Sequence, residues 1–264
     1  MFALINGLTL HYRIEGNVQG AALVFINSLG CDFRIWDNVL PPLADHFRLI
    51  RYDKRGHGLS DTPPGPYSIR DHTLDLTGLL THLHLETAII VGLSVGGMIA
   101  MDYTVQYAER VRALVLCDTL PKIGASELWS ERIQALRENG LGPMAEKLMG
   151  RWFTSTFAAQ RPADYGGYGN MLSRMPLEGY IATCAALRDA DLRDSVKAIT
   201  APTLVLCGAA DVSTPVSAAR EFAETLPNAR YATIEEAAHL SCIEQPKAVA
   251  AAMERFFQDN GDGR

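Results

Sequence analysis

At 264 residues with 48% hydrophobic and 20% charged side chains, the chain fits one large globular domain or one domain with an insertion. A formal net charge of −6 excludes the basic footprint of a nucleic-acid binder or of a protein held to an anionic membrane, so neither partner is expected. The opening Met1-Phe2-Ala3-Leu4-Ile5-Asn6-Gly7 lacks the basic and long apolar regions of a signal peptide, and the five cysteines are scattered without C-x-x-C spacing. Reduced thiols and a cytoplasmic location are the expectation.

In chain order, residues 2–5 and 8–14 read as a hairpin turned at Asn6-Gly7. Short apolar, β-branched runs predict further strands at 22–26, 48–52, 87–91, 113–117, 203–207 and 230–234. Helical spacing between them predicts helices at 37–44, 69–83, 95–107, 216–225 and 246–257. This alternation implies an α/β fold whose mostly parallel eight-stranded sheet has helices on both faces and functional loops at the carboxyl ends of its strands. The pattern breaks over 121–187, which holds Trp129, Trp152, Tyr165, Tyr168, Tyr180 and four of the eight methionines with no clear strand. A helical lid inserted into a core of 1–120 and 188–264 is expected; more helical core is the plainer alternative.

Within that frame, Gly92-Leu93-Ser94-Val95-Gly96 is a G-x-S-x-G set between an expected strand and an expected helix. Such a turn lifts a serine hydroxyl above the sheet and leaves the Val95 N–H at a helix N-terminus, free to bind negative charge. Serine needs a base, and of the seven histidines only His239 follows Ser94. In the Ser…Asp…His order of this turn His239 is the sole candidate. Asp211, after the strand at 203–207, is favoured as the group orienting the imidazole; Asp118, ending the strand at 113–117, is the rival, and a helix N-cap is the structural alternative for Asp211. The Leu29 N–H, in the loop after the strand at 22–26, is the candidate second oxyanion donor, unless Gly30 simply makes an ordinary turn there. The charged, glycine-rich loop at 52–61 is expected to brace neighbouring loops, with His57 a poor candidate base because it precedes Ser94.

These residues carry a resemblance. The turn around Ser94, the Asp53-Lys54-Arg55-Gly56-His57-Gly58 loop, Asp211 and His239 resemble the α/β-hydrolase family over nearly the whole chain. Asn27-Ser28-Leu29-Gly30 stands where most members carry His-Gly. With Asp53-Lys54-Arg55-Gly56-His57-Gly58-Leu59-Ser60 it resembles the bacterial 3-oxoadipate enol-lactonases. That resemblance implies a serine hydrolase opening 3-oxoadipate enol-lactone, a small anionic lactone of aromatic-compound catabolism (the β-ketoadipate pathway), through an acyl-enzyme and with no cofactor or metal.

An anionic substrate in a chain of charge −6 needs a local cation. Trp129, Arg132, Ile133 and Leu136 share one helical face, and Arg132 has no acidic residue three or four positions away. A guanidinium there suits a substrate carboxylate, with Trp129 packing on the ring; a snorkelling arginine or a bridge to a distant acid is an equal alternative. Two functional alternatives stay open: a carboxylesterase or carbon–carbon bond hydrolase using the same three residues, and a small-molecule receptor with negligible turnover.

Overall fold

Asn6 and Gly7 both take positive φ, 52° and 80°, the geometry of a tight hairpin turn, and join β1 (Phe2–Ile5) to an antiparallel β2 (Leu8–Gly16). The computed structural model describes residues 1–262. From β3 (Ala21–Ile26) onward the strands run parallel: β4 (Phe47–Tyr52), β5 (Ala88–Leu93), β6 (Val111–Cys117), β7 (Thr203–Gly208) and β8 (Ala229–Ile234). The eight strands form one sheet in the order β1-β2-β4-β3-β5-β6-β7-β8, with β2 antiparallel to β4. All eight expected strands are present. Every residue of β5 and β7 is buried, a condition met only when both faces are covered.

The helices are α1 (Ile69–His82), α2 (Val95–Gln106), α3 (Ser126–Asn139), α4 (Gly142–Trp152), α5 (Ser155–Gln160), α6 (Pro162–Ser173), α7 (Leu177–Asp189), α8 (Val216–Glu224), α9 (Ser241–Glu244) and α10 (Pro246–Asp259). A capping box starts α1: Ser68 Oγ accepts the Asp71 N–H and Asp71 Oδ2 accepts the Ser68 N–H. The helix expected at 37–44 is not formed; two 3₁₀ turns, Phe33–Trp36 and Pro41–Leu43, stand in its place. Pro41 and Pro42 have no N–H, so an α-helix through them would forfeit successive backbone bonds, whereas Pro at the first position of a short turn loses nothing. The earlier turn starts where Asp32 accepts the Arg34 N–H at 3.0 Å.

Helices α3 to α7 follow one another between β6 and β7 without a strand. Helix α3 packs on α7, burying Trp129, Ile133 and Leu136 against the apolar α7, and α4 packs on α6. The loops after β3, β5, β6, β7 and β8 leave the carboxyl edge of the sheet and lead to Leu29, Ser94, Asp118, Asp211 and His239. Among the described residues no helix is long and apolar enough to cross a membrane. All five cysteines are free and buried. Burial pushes the thiols of Cys31 and Cys242 far above their ordinary range, as for thiols packed like small apolar side chains.

Candidate active site

Ser94 sits between β5 and α2 with φ 57° and ψ −120°, a conformation L-residues rarely adopt. The neighbourhood imposes it. The Ser94 N–H donates to the Cys117 carbonyl at 3.0 Å, while its own carbonyl accepts the Gly97 N–H at 2.8 Å and the Thr119 hydroxyl at 2.7 Å. A Cβ on Gly92 would lie 2.2 Å from the Gly96 carbonyl oxygen, and one on Gly96 would lie 2.4 Å from the Ile26 oxygen. The bare backbone at Gly96 therefore lets the start of α2 approach the end of β3, which brings the Val95 N–H beside the loop carrying Leu29. Such strain is worth about 1–3 kcal/mol, against about 0.5–1 kcal/mol for the extra freedom of an unfolded glycine. With a net relief of about 1 kcal/mol, Ser94→Gly is expected to melt about 2–4 °C above Ser94→Ala. Calorimetry of the two variants reads this directly, and an equal or lower melting point for Ser94→Gly would show that little strain is held there.

Asp211 and His239 meet as the order of residues suggested: Asp211 Oδ2 lies 2.8 Å from His239 Nδ1, both side chains being buried. The carboxylate also accepts the Ser213 N–H at 2.7 Å, the Thr214 N–H at 3.1 Å and the Thr214 hydroxyl at 2.5 Å. Burial works against its charge, but the imidazole and these donors hold it below the usual carboxylate range. Burial likewise opposes a charged His239, yet Asp211 outweighs it and raises the proton affinity of the ring, with Arg151 pulling slightly the other way. Ser94 and His239 line the same cavity without a Ser94 Oγ–imidazole hydrogen bond between them; such contacts often tighten only in the reacting complex.

Asp118, the rival acid, does not reach the imidazole. Its Oδ1 accepts the Gly208 N–H at 2.7 Å and its Oδ2 accepts the Ser241 hydroxyl at 2.6 Å. It thereby ties β7 to the turn just after His239. Burial, reinforced by repulsion from Asp211, pushes its carboxyl up to about 7. Ligand atoms of Asp118, Cys207 and Asp211 cluster within 4.8 Å of one another, but hydrogen bonds to protein partners occupy each of them.

The loop at 27–31 is held from below by the loop at 52–61, as expected. Lys54 Nζ donates to the Ser28 carbonyl at 2.6 Å, and the Gly30 N–H donates to His57 Nε2 at 3.1 Å. His57 Nδ1 lies 3.1 Å from the Arg55 carbonyl, so both ring nitrogens are committed to backbone. Burial holds His57 well below its ordinary range and brings the Lys54 ammonium down to about 7. His57 is a brace and no base. Among the described residues the Leu29 and Val95 N–H groups have no acceptor, which leaves both available to an oxyanion.

A cavity of about 370 Å³ lies between this edge of the sheet and the helical insertion, lined by Leu29, Ser94 and His239 from the core and by Trp129, Arg132 and Leu148 from the insertion. The indole N–H of Trp129 is spent on the Ile123 carbonyl at 2.6 Å, and its ring carries the Arg132 guanidinium 4.5 Å from the centroid. Three features were not foreseen from sequence. Lys147 and Arg151, on α4, also line the cavity. Buried Glu244 accepts the Ala238 N–H at 2.6 Å and the Thr154 N–H and hydroxyl at 3.0 and 2.7 Å, which clips the insertion to the residue before His239. Only the lysine–arginine spacing of four left a trace in the sequence, and on a helix that spacing more often marks a solvated face.

Fold and site together define a hydrolase of the α/β type. The family model described as "alpha/beta hydrolase fold" matches residues 21–246, and the chain belongs to that family. It is 36% identical over 253 residues to 3-oxoadipate enol-lactonase 2 of Acinetobacter baylyi, covering 94% of each chain. The crystal structure of the enol-lactonase from Burkholderia xenovorans superposes with a TM-score of 0.95 at 35% identity, covering 98% of this chain and 100% of that one. A putative non-heme bromoperoxidase, BpoC of Mycobacterium tuberculosis, is 31% identical and covers 94% of this chain and 98% of its own.

Proposed function

We propose that the protein is a serine hydrolase that opens 3-oxoadipate enol-lactone to 3-oxoadipate, with residues 121–187 forming a cap over the site. The observation that carries this reading is the convergence on one cavity of Ser94, the Asp211-oriented His239 and an unpaired Arg132. The likeness to enol-lactonases over almost the full chain supports it. In this reading His239 takes the Ser94 proton, Ser94 attacks the lactone carbonyl, and the Leu29 and Val95 N–H groups hold the oxyanion; each such donor is worth roughly 10²–10³ in rate. Collapse of the tetrahedral adduct breaks the ring C–O bond and expels an enolate oxygen, which His239 protonates; the enol then becomes a ketone. The chain stays esterified to Ser94 until a water, deprotonated by His239, releases it as a carboxylate. An enolate is a better leaving group than an alkoxide, so this route needs no metal or cofactor.

Arg132 takes the substrate carboxylate, held in place by its stack on Trp129. Arg132→Ala is expected to raise KM for the anionic lactone about tenfold to a hundredfold and to change 4-nitrophenyl acetate hydrolysis far less. Equal losses on the charged and the neutral substrate would make Arg132 a structural residue. The reading as a whole is tested by following ultraviolet absorbance of the enol-lactone with the wild-type protein. Rapid loss of the enol chromophore is the expected result; a folded protein that leaves the lactone intact but turns over simple esters is a carboxylesterase instead.

A further inference from the structure

The cavity holds more positive charge than one carboxylate requires. Arg132 lines it from α3, and Arg151 and the exposed Lys147 line it from α4, against a single acidic lining residue, Glu131, in a chain of net charge −6. Among the described residues none of the three cations has an ion-pair partner. Lys147 and Arg151 are four residues apart and therefore share one face of α4, where like charges repel. The helix dipole favours a cation in the last turn, which accounts for a charge at Arg151 but not for its turn toward the cavity, nor for Lys147.

Arg151 is also well placed. Its Nε and Nη2 lie 3.4 and 3.3 Å from Ser213 Oγ, long contacts that leave most of the guanidinium's donors unspent. Ser213 in turn donates its N–H to Asp211, so Arg151 reaches from the insertion to the loop that orients His239. Its charge is felt at the imidazole, whereas Arg132 is stacked on Trp129 beside Tyr180. The two arginines thus serve separate parts of one cavity.

We propose that Arg151, assisted by Lys147, forms a second carboxylate subsite at the His239 end of the cavity, so that the pocket is matched to dicarboxylates of about the substrate's length. Hydrolysis of any lactone that bears one carboxylate creates another from the carbonyl that Ser94 attacks, beside His239. Arg151 faces the carboxylate that the reaction forms, while Arg132 holds the one already present. The ring-opened dianion is then bound by both cations and inhibits the enzyme until it leaves. This rests on the cavity being the hydrolytic site, but not on which lactone enters it.

The test is isothermal titration calorimetry of adipate and hexanoate, equal in carbon count, into Ser94→Ala protein at low ionic strength. Adipate is expected to bind about 10- to 100-fold more tightly than hexanoate, the range of one charged hydrogen-bonded pair. Adding Arg151→Ala removes that preference with little change for hexanoate, whereas adding Arg132→Ala weakens both acids. Arg151→Gln, which keeps the stem and the Ser213 contact, gives the same result should the alanine variant fold poorly. Adipate binding no tighter than hexanoate, no measurable adipate binding, or an equal loss of both acids on removing Arg151 would each overturn the subsite. Enol-lactone turnover by wild type is read separately: tight adipate binding without lactone turnover discards the lactonase reading and keeps the subsite.

Discussion

Ser94→Ala is expected to lower hydrolysis of 3-oxoadipate enol-lactone by about 10⁴- to 10⁶-fold, because the proposed route then loses its nucleophile and keeps only binding and oxyanion stabilisation. The protein stays folded, since alanine keeps the backbone that the glycines at 92 and 96 already permit and removes one oxygen from a residue that is 6% exposed. Circular dichroism confirms folding, and ultraviolet assays of wild type and variant measure the loss. A folded Ser94→Ala protein that retains a tenth of wild-type activity would rule out the acyl-enzyme route.

Asp211→Asn is expected to cost about 10⁴-fold, and Asp118→Asn less than tenfold. At position 211 the side-chain oxygen is claimed by the Ser213 and Thr214 N–H groups, so an asparagine turns its NH₂ toward His239 Nδ1. That forces the ring proton onto Nε2, the nitrogen that must accept from Ser94. Asp118 has no such leverage. An asparagine there still accepts the Gly208 N–H and can donate to Ser241, which rotates to accept. Burial and the nearby Asp211 charge raise the Asp118 carboxyl and so favour its neutral form, which asparagine mimics. The pH profile adds a second readout. The proposed route needs neutral His239, and Asp211 raises the ring's proton affinity, so wild-type kcat/KM is expected to fall as pH drops through a value above the ordinary histidine range. Removing the Asp211 charge moves that acid limb to lower pH while the plateau collapses. An unmoved limb, or a larger loss from Asp118→Asn, would transfer the role to Asp118.

Glu244 and the loop at 52–61 show how much of the site is support. Lys54, His57 and Glu244 do not line the cavity, yet they hold the Leu29 loop and the His239 turn in place. Oxyanion donors contribute only when held in place beforehand, which is the physical reason for spending buried charges on backbone groups.

Much of this was legible in the chain itself. Apolar β-branched runs marked every strand, since side chains that cannot be solvated announce a buried sheet. The Ser94 turn was legible because its requirements are local: glycines where a Cβ would strike backbone, between a strand and a helix. His239 followed by elimination, as no other histidine lies beyond Ser94. The helix expected at 37–44 failed because apolar spacing ignores the missing N–H groups of Pro41 and Pro42. Chain order favoured Asp211 over Asp118, but only the tertiary structure shows what separates them: Asp211 hydrogen-bonds the imidazole and Asp118 bonds Ser241 instead. Tertiary structure alone placed Lys147 and Arg151 along the cavity's lining. A helical period says which residues share a face, and packing against other elements says what that face meets.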